Sequence, residues 1–138
     1  MFLLEFLFCR TGFVIACIGS AVGMEIFNDA NRPVYVAVDE NDSVMGYAFC
    51  IKKKQPFSTN MVPFDSLFID DLCVDQNIRG KHVGQKIFEH VKEEAKKMGC
   101  YEVTLNVWEG NDIARRFYEK MGMVPKETQM EFIFKIEN

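Results

Sequence analysis

The sequence predicts an α/β fold whose sheet mixes strand directions. β-Branched and aromatic runs at "VYVAV" (34–38), "VMGYAFCI" (44–51), "SLFIDDLCV" (66–74), "YEVTLNVW" (101–108) and "MEFIFKI" (130–136) read as strands. Two stretches with apolar residues at helical spacing, 82–98 and 112–121, fall between the later strands, and each meets a glycine stop. The resulting order is β-β-β-α-β-α-β. With 138 residues the chain is read as one domain, 1–138, large enough to bury a core.

The first 24 residues, "MFLLEFLFCRTGFVIACIGSAVGM", stand apart as an atypical apolar segment ahead of a recognisable core at 25–138. Glu5 and Arg10 interrupt it, and the 14 uncharged residues between Arg10 and Glu25 fall short of the roughly 20 that span a bilayer. A secretory signal opens with positive charge, whereas Glu5 sits where the apolar core of a signal begins. The segment is therefore expected as a helix or strand buried against the fold, with no membrane partner.

Residues 34–38 and 44–51 flank the polar "DENDS" and are expected as a hairpin. "KKKQPFSTNMVP" (52–63), polar and holding two prolines, is expected as a mobile loop, with Lys52, Lys53 and Lys54 as a solvated strand end. In 66–74, strict alternation puts Leu67, Ile69 and Asp71 on one face and Phe68, Asp70, Leu72 and Val74 on the other. Val83, Ile87, Phe88, Val91, Ala95 and Met98 form the apolar stripe of the helix at 82–98. Lys96 and Lys97 suit its negative end, and Gly99 stops it. Asn111 is placed to N-cap the helix at 112–121, where Ala114, Phe117, Tyr118 and Met121 recur at helical spacing and Gly122 ends the run.

Hydrophobic residues make up 49% and charged residues 26% of the chain, the balance of a globular protein. A formal charge of −4, with no basic stripe beyond Lys52–Lys54, argues against a nucleic-acid partner. Cys9, Cys17, Cys50, Cys73 and Cys100 are odd in number and widely spaced, and no C-x-x-C pair occurs. They read as free buried thiols in a reducing cytoplasm. His82 and His90 lack metal-ligand spacing with one another or with cysteine, so no metal is implied.

"VDQNIRGKHVGQKIF" (74–88) carries the functional signal. A loop with Gly80 and Gly84 runs into an amphipathic helix, and the N–H groups at such a junction are free to meet an anion, most simply a phosphate. A Walker loop needs four residues between its glycines and then Lys and Ser or Thr. Here only Lys81, His82 and Val83 separate Gly80 from Gly84, and Gln85 follows. A dinucleotide fingerprint is excluded as well, because position 82 is His and not Gly.

"LCVDQNIRGKHVGQKIF" followed by "VTLNVWEGNDIARRFYEKMGM" resembles the GCN5-related N-acetyltransferases (the GNAT family) on both diagnostic segments, in order and at the right separation. The resemblance runs from about Val34 to the C-terminus. It implies a GNAT-like mixed, mostly antiparallel sheet flanked by helices, with 1–24 as an atypical or truncated front end. In that family the glycine loop grips the pyrophosphate of acetyl-coenzyme A through backbone N–H groups, which implicates Arg79, Gly80, Lys81, His82, Val83, Gly84 and Gln85. The preceding strand hydrogen-bonds the pantetheine arm, which implicates Leu72, Cys73 and Val74, and the N–H of Val74 or a neighbour polarises the thioester carbonyl. Asn111 and Tyr118 fall on an Asn and a Tyr that the family carries near the thioester. The family's Q/R-x-x-G-x-G/A would fall on Asn77-Ile78-Arg79-Gly80-Lys81-His82, so Asn77 replaces Gln or Arg and His82 replaces Gly or Ala. Because His82 has a Cβ, an ordinary helical backbone is expected there, with its ring in solvent.

The activity so implied is an N-acetyltransferase moving acetyl from acetyl-coenzyme A to a primary amine by direct attack. Such transfer needs an amine without its extra proton, a stabilised oxyanion and a proton for the departing thiolate. Tyr118 is the acid that the resemblance implies. Asp70, four residues before Val74, is the candidate base, at a place where several relatives carry an acidic residue facing the amine. A base acting through water stays open. Asp71 points the other way, and Cys73, expected buried on the opposite face, is a poor candidate for an acetyl-enzyme. Trp108 and Phe117 read as core packing. The acidic balance favours a cationic small molecule or a peptide amine as acceptor. Relatives begin with a strand and two helices, for which the front end leaves little room. It is expected to cap the sheet or to make a homodimer contact, or it marks a displaced start that truncates the enzyme. The alternative is a catalytically silent coenzyme-A-binding module with an incomplete acceptor side.

Overall fold

The computed structural model describes the backbone of residues 2–6, together with residues 29–41, 43–55, 60, 62–78 and 82–135. The chain forms two compact units, Met1–Asn106 and Val107–Asn138. In the first unit lie β1 (Phe2–Phe6), β2 (Val34–Val38), β3 (Val44–Lys54), β4 (Asp65–Val74), α1 (Val83–Lys97) and β5 (Glu102–Leu105). The strands make one sheet in the order β1-β2-β3-β4-β5. Every neighbouring pair is antiparallel except β4 and β5, which run parallel on either side of α1 in the chain. The mixed, mostly antiparallel sheet is therefore as the sequence predicts. The apolar front end contributes β1, paired antiparallel to β2.

Local chemistry sets the hairpin. Asp39 Oδ1 accepts the N–H groups of Asn41 and Ser43 at 2.8 and 2.9 Å, so the first residue of the polar turn folds the backbone around itself. β3 then runs to Lys54, where the sequence suggested a loop from 52 onward. The lysines stay in the ladder because they find partners on it. Lys52 Nζ lies 3.5 Å from Asp65, and Lys53 Nζ stands 4.0 Å above the centre of the Phe68 ring. Residues 56–59 and 61 of the expected loop lie outside the described residues.

α1 buries Val83, Ile87, Phe88, Val91 and Ala95, the stripe read from the sequence. Met98 serves as its C-cap, and Gly99 follows at φ +75°. Full burial of a side chain the size of Phe88 stabilises by roughly 1.5–3 kcal/mol. The helix lies close on β3 at one point. A Cβ on Gly46 would stand 2.9 Å from Ile87 Cδ1 and 2.7 Å from the Cys73 carbonyl, closer than packed atoms tolerate.

The register between β3 and β4 shifts once. Phe49 opposes Asp71 and Cys50 opposes Ile69, which leaves Asp70 as the extra residue of a β-bulge. Residues directly opposite in a ladder share a face. Leu67, Ile69, Leu72 and Val74 thus lie on the face of Gly46, Ala48 and Cys50, toward α1. Tyr47, Phe49, Asp71 and Cys73 share the other. The strict alternation expected over 66–74, which set Leu67 and Ile69 against Leu72 and Val74, is corrected by this one inserted residue.

Two other strand expectations come out shorter or absent. β5 covers Glu102–Leu105 rather than 101–108, because its register with β4 ends at Ile69 and Leu105, next to the bulge. Residues 130–135 form no strand, and Met130, Phe132, Ile133 and Phe134 are exposed. Alternating apolar residues make a strand only where a neighbouring edge completes their hydrogen bonds, and among the described residues none pairs with them. The second unit contains α2 (Asp112–Lys120), capped by Met121, with Gly122 at φ +100°.

Candidate functional site

The first unit brings together the end of β4, the following turn and the start of α1. Asp75 Oδ1 accepts the N–H of Asn77 at 2.9 Å, and the Asp75 carbonyl accepts the N–H of Ile78 at 3.0 Å, closing a short 3-10 turn at Gln76–Ile78. Arg79, Gly80 and Lys81 lie outside the described residues. His82 is the N-cap of α1, at φ 58° and ψ 27°, and makes no side-chain capping bond. The first helical bond runs from the Lys86 N–H to the His82 carbonyl at 3.0 Å. The N–H groups of Val83, Gly84 and Gln85 therefore leave the helix end without an intrahelical acceptor. Fifteen residues of aligned peptide dipoles stand behind them. Such an end is suited to an anion.

The backbone at His82 corrects the sequence expectation. It is left-handed, not helical, because an N-cap stands outside the helix and histidine is among the non-glycine residues that tolerate this region. A left-handed position is where glycine is favoured. Moved two residues onward, the pattern Q/R-x-x-G-x-G/A falls on Arg79-Gly80-Lys81-His82-Val83-Gly84. Arg79 and Gly84 then match, and His82 alone departs, at the residue with positive φ. The signal was available in the sequence as an arginine three residues before the position that needs glycine.

β4 presents the second half of the site. β5 pairs with it from Ser66 to Ile69 and no further. Past the bulge, the edge from Asp70 to Val74 that would continue toward β5 carries no strand among the described residues. With no strand of the described residues paired there, its backbone groups suit an extended ligand that pairs as a strand would. Leu72 and Val74 are half-buried toward α1. Cys73 is exposed, not buried as expected, because Leu72 and not Cys73 faces the helix. Of the other described cysteines, Cys50 is buried and Cys100 half-buried; Cys9 and Cys17 lie outside the described residues.

On the face away from α1, the Tyr47 phenol donates to Asp71 Oδ2 at 3.2 Å. Burial, then the Asp71 charge, then the Cys73 thiol push that phenol well above its ordinary pKa. Asp70, in the bulge, has no ladder partner. Burial first and the Asp70 charge second push the Cys50 thiol up to about 12. Asp71 lies on the face opposite Leu72 and Val74, as alternation over 71–74 expects, whereas Asp70 has no ladder partner that fixes its face.

In the second unit, Asn111 caps α2 as expected, its Oδ1 accepting the Ala114 N–H at 3.3 Å. The Nδ2 donors stay available for a further partner. Tyr118 is half-buried, its ring centroid 5.1 Å from that of Phe117. Trp108, expected as core packing, is 88% exposed, since the chain has left the β5 ladder before reaching it. Among the described residues no group of three His, Cys, Asp or Glu side chains is placed to hold a metal ion.

The model of the acetyltransferase (GNAT) family matches residues 10–123. The chain belongs to that family. The match begins well ahead of Val34, so the GNAT pattern includes part of the apolar front end. A glucosamine 6-phosphate N-acetyltransferase of Arabidopsis thaliana is 42% identical over 66 residues, which are 48% of this GNAT chain and 42% of the relative. The chain spans about two-fifths of the length of the curated relatives it matches. The solved structure of glucosamine-6-phosphate N-acetyltransferase from Arabidopsis thaliana superposes with a TM-score of 0.67 at 25% identity, over 98% of this chain and 100% of the other. A tetramutant of the BH1408 protein from Bacillus halodurans superposes with a TM-score of 0.83 over 97% of this chain and 100% of its own. At 23% identity it shares the GNAT fold alone.

Proposed function

We propose that the protein is an N-acetyltransferase that moves acetyl from acetyl-coenzyme A to the primary amine of an amino sugar phosphate by direct attack. The observation that carries this reading is the pairing, in one unit, of an uncapped helix end behind a left-handed His82 with a β4 edge open from Asp70 to Val74. The first suits a diphosphate, and the second suits the amide-bearing pantetheine arm. In this reading the N–H groups of Val83, Gly84 and Gln85 hold the diphosphate together with His82, Arg79, Gly80 and Lys81. The backbone of Leu72, Cys73 and Val74 holds the arm, and Asn111 donates its amide near the thioester.

Acetyl-coenzyme A supplies an activated acyl carbon. The chain then has three tasks: to orient the amine, to polarise the carbonyl through the Val74 N–H, and to protonate the leaving thiolate with the Tyr118 phenol. Asp70, Asp71 or water takes the amine's proton.

The relatives named as glucosamine 6-phosphate N-acetyltransferases support a small-molecule acceptor over a peptide amine. The net charge of −4 disfavours nucleic acid. A homodimer in a reducing cytoplasm completes the reading, a compartment that suits the free thiols of Cys50, Cys73 and Cys100. The test is release of free coenzyme A thiol with glucosamine 6-phosphate and a panel of other primary amines. Release that depends on an amino sugar phosphate supports the proposal. Tight coenzyme A binding with no release across the panel favours the silent binding module.

A further inference from the structure

We infer that Tyr47 is a positioning residue that fixes Asp71, rather than Asp70, as the carboxylate receiving the acceptor amine. The inference rests on the acetyl-transfer reading above and assigns its amine-facing group. Three observations carry it. First, the bulge makes the two neighbouring aspartates unlike. Asp71 stands opposite Phe49, on the face it shares with Tyr47 and Cys73, while Asp70 is the unpaired residue whose charge acts on Cys50. Second, Tyr47 is only 6% exposed, yet its hydroxyl reaches across from β3 to Asp71 Oδ2 at 3.2 Å. A phenol locked by burial holds one carboxylate oxygen in place and leaves the other to accept from a ligand, whereas an unsupported surface aspartate samples its rotamers. Third, the two faces of β4 are not equally open. α1 lies against the Gly46 side, where Ile87 Cδ1 leaves no room even for a methyl group. Asp71 and Cys73 are exposed on the other face, beside the open edge proposed for the thioester arm.

An amine approaching that edge on the side of the exposed Asp71 meets its Oδ1 and donates its hydrogen bond there. The chemistry recognised is that of a primary ammonium or amine carried by a small polar molecule.

The test is steady-state kinetics of the full chain with acetyl-coenzyme A and glucosamine 6-phosphate, on Asp71→Asn, Asp70→Asn, Tyr47→Phe and the double variant Tyr47→Phe/Asp71→Asn. Loss of a hydrogen bond to a charged group predicts a rise of about tenfold or more in the amine KM for Asp71→Asn, with the acetyl-coenzyme A KM within about twofold. The effect of Asp70→Asn is smaller. Tyr47→Phe raises the amine KM in wild type and adds nothing in the Asp71→Asn background, because its contribution passes through that carboxylate. A purely structural Tyr47 gives the same loss in both backgrounds and overturns the inference, as does a larger effect at Asp70 than at Asp71. Should Tyr47→Phe fail to fold, the comparison of the two exposed aspartates decides alone. Wild-type protein that transfers acetyl normally while Asp71→Asn matches it refutes this assignment only. Wild-type protein with no transfer to any amine refutes the acetyl-transfer reading and the assignment with it.

Discussion

Replacing His82 with glycine tests the geometry at the mouth of the anion site. His82 holds φ 58° and ψ 27°, where an L-residue is strained by about 1–2 kcal/mol. Glycine adopts that conformation freely but gives up more unfolded-chain entropy, roughly 0.5–1 kcal/mol, so the net gain of His82→Gly is about 0.5–1 kcal/mol. Unfolding entropy of about 2.1 cal/mol/K per residue gives about 0.3 kcal/mol per degree for 138 residues. His82→Gly should therefore raise Tm by about 2–3 °C, and His82→Val, β-branched at positive φ, should lower it by about 3 °C or more. Differential scanning calorimetry of the three proteins reads the order Gly, His, Val directly. Coenzyme A affinity of the glycine variant should stay within about threefold, since the backbone amides and not the imidazole make the grip. A glycine variant less stable than wild type, or a valine variant equal to it, would show that the backbone at 82 is not left-handed and would remove the proposed register.

Gly46→Ala drives a methyl into the Cys73 carbonyl and Ile87; chemical denaturation should show a loss of about 1–3 kcal/mol, and an unchanged midpoint would contradict the close approach of α1. Stability should fall in alkali. The Cys50 thiol is raised from 9.0 to about 12 on folding, so its contribution is complete below pH 9 and disappears as pH rises from about 9 to 12. Tyr47, raised in the same direction from 10.0, adds to the fall above pH 10. Cys50→Ala should flatten the first part of that slope in urea melts taken at several pH values. Tyr118→Phe should lower kcat by about 10²-fold with coenzyme A affinity unchanged; equal turnover would remove the tyrosine as acid.

What the sequence made legible was whatever is local. The stripe Val83, Ile87, Phe88, Val91 and Ala95, the Asn111 cap and the glycine stops at 99 and 122 all appear where nearest-neighbour chemistry puts them. The hairpin around Asp39 is local in the same way. What stayed hidden depends on partners distant in the chain. Nothing in "FIDDLCV" announces that β3 skips Asp70, so alternation carries straight through and sets Leu67 and Ile69 on the face of Asp71, away from Leu72 and Val74. The end of β5 at Leu105 follows from the same bulge. "MEFIFKI" has the pattern of a strand, but a pattern does not supply the neighbouring edge that makes one. His82 departs from expectation for a different reason. A Cβ by itself points to a helical backbone, whereas the place of His82 just outside the helix admits the left-handed region.

Calorimetric titration of the protein with coenzyme A and, separately, with pantetheine tests most directly whether the start of α1 holds a diphosphate beside an arm laid along β4. We predict measurable heat and saturable binding for coenzyme A, with pantetheine weaker by about two orders of magnitude, because it lacks the anion that the helix end receives. Equal affinity for the two compounds, or no heat from coenzyme A with folded protein, would contradict it.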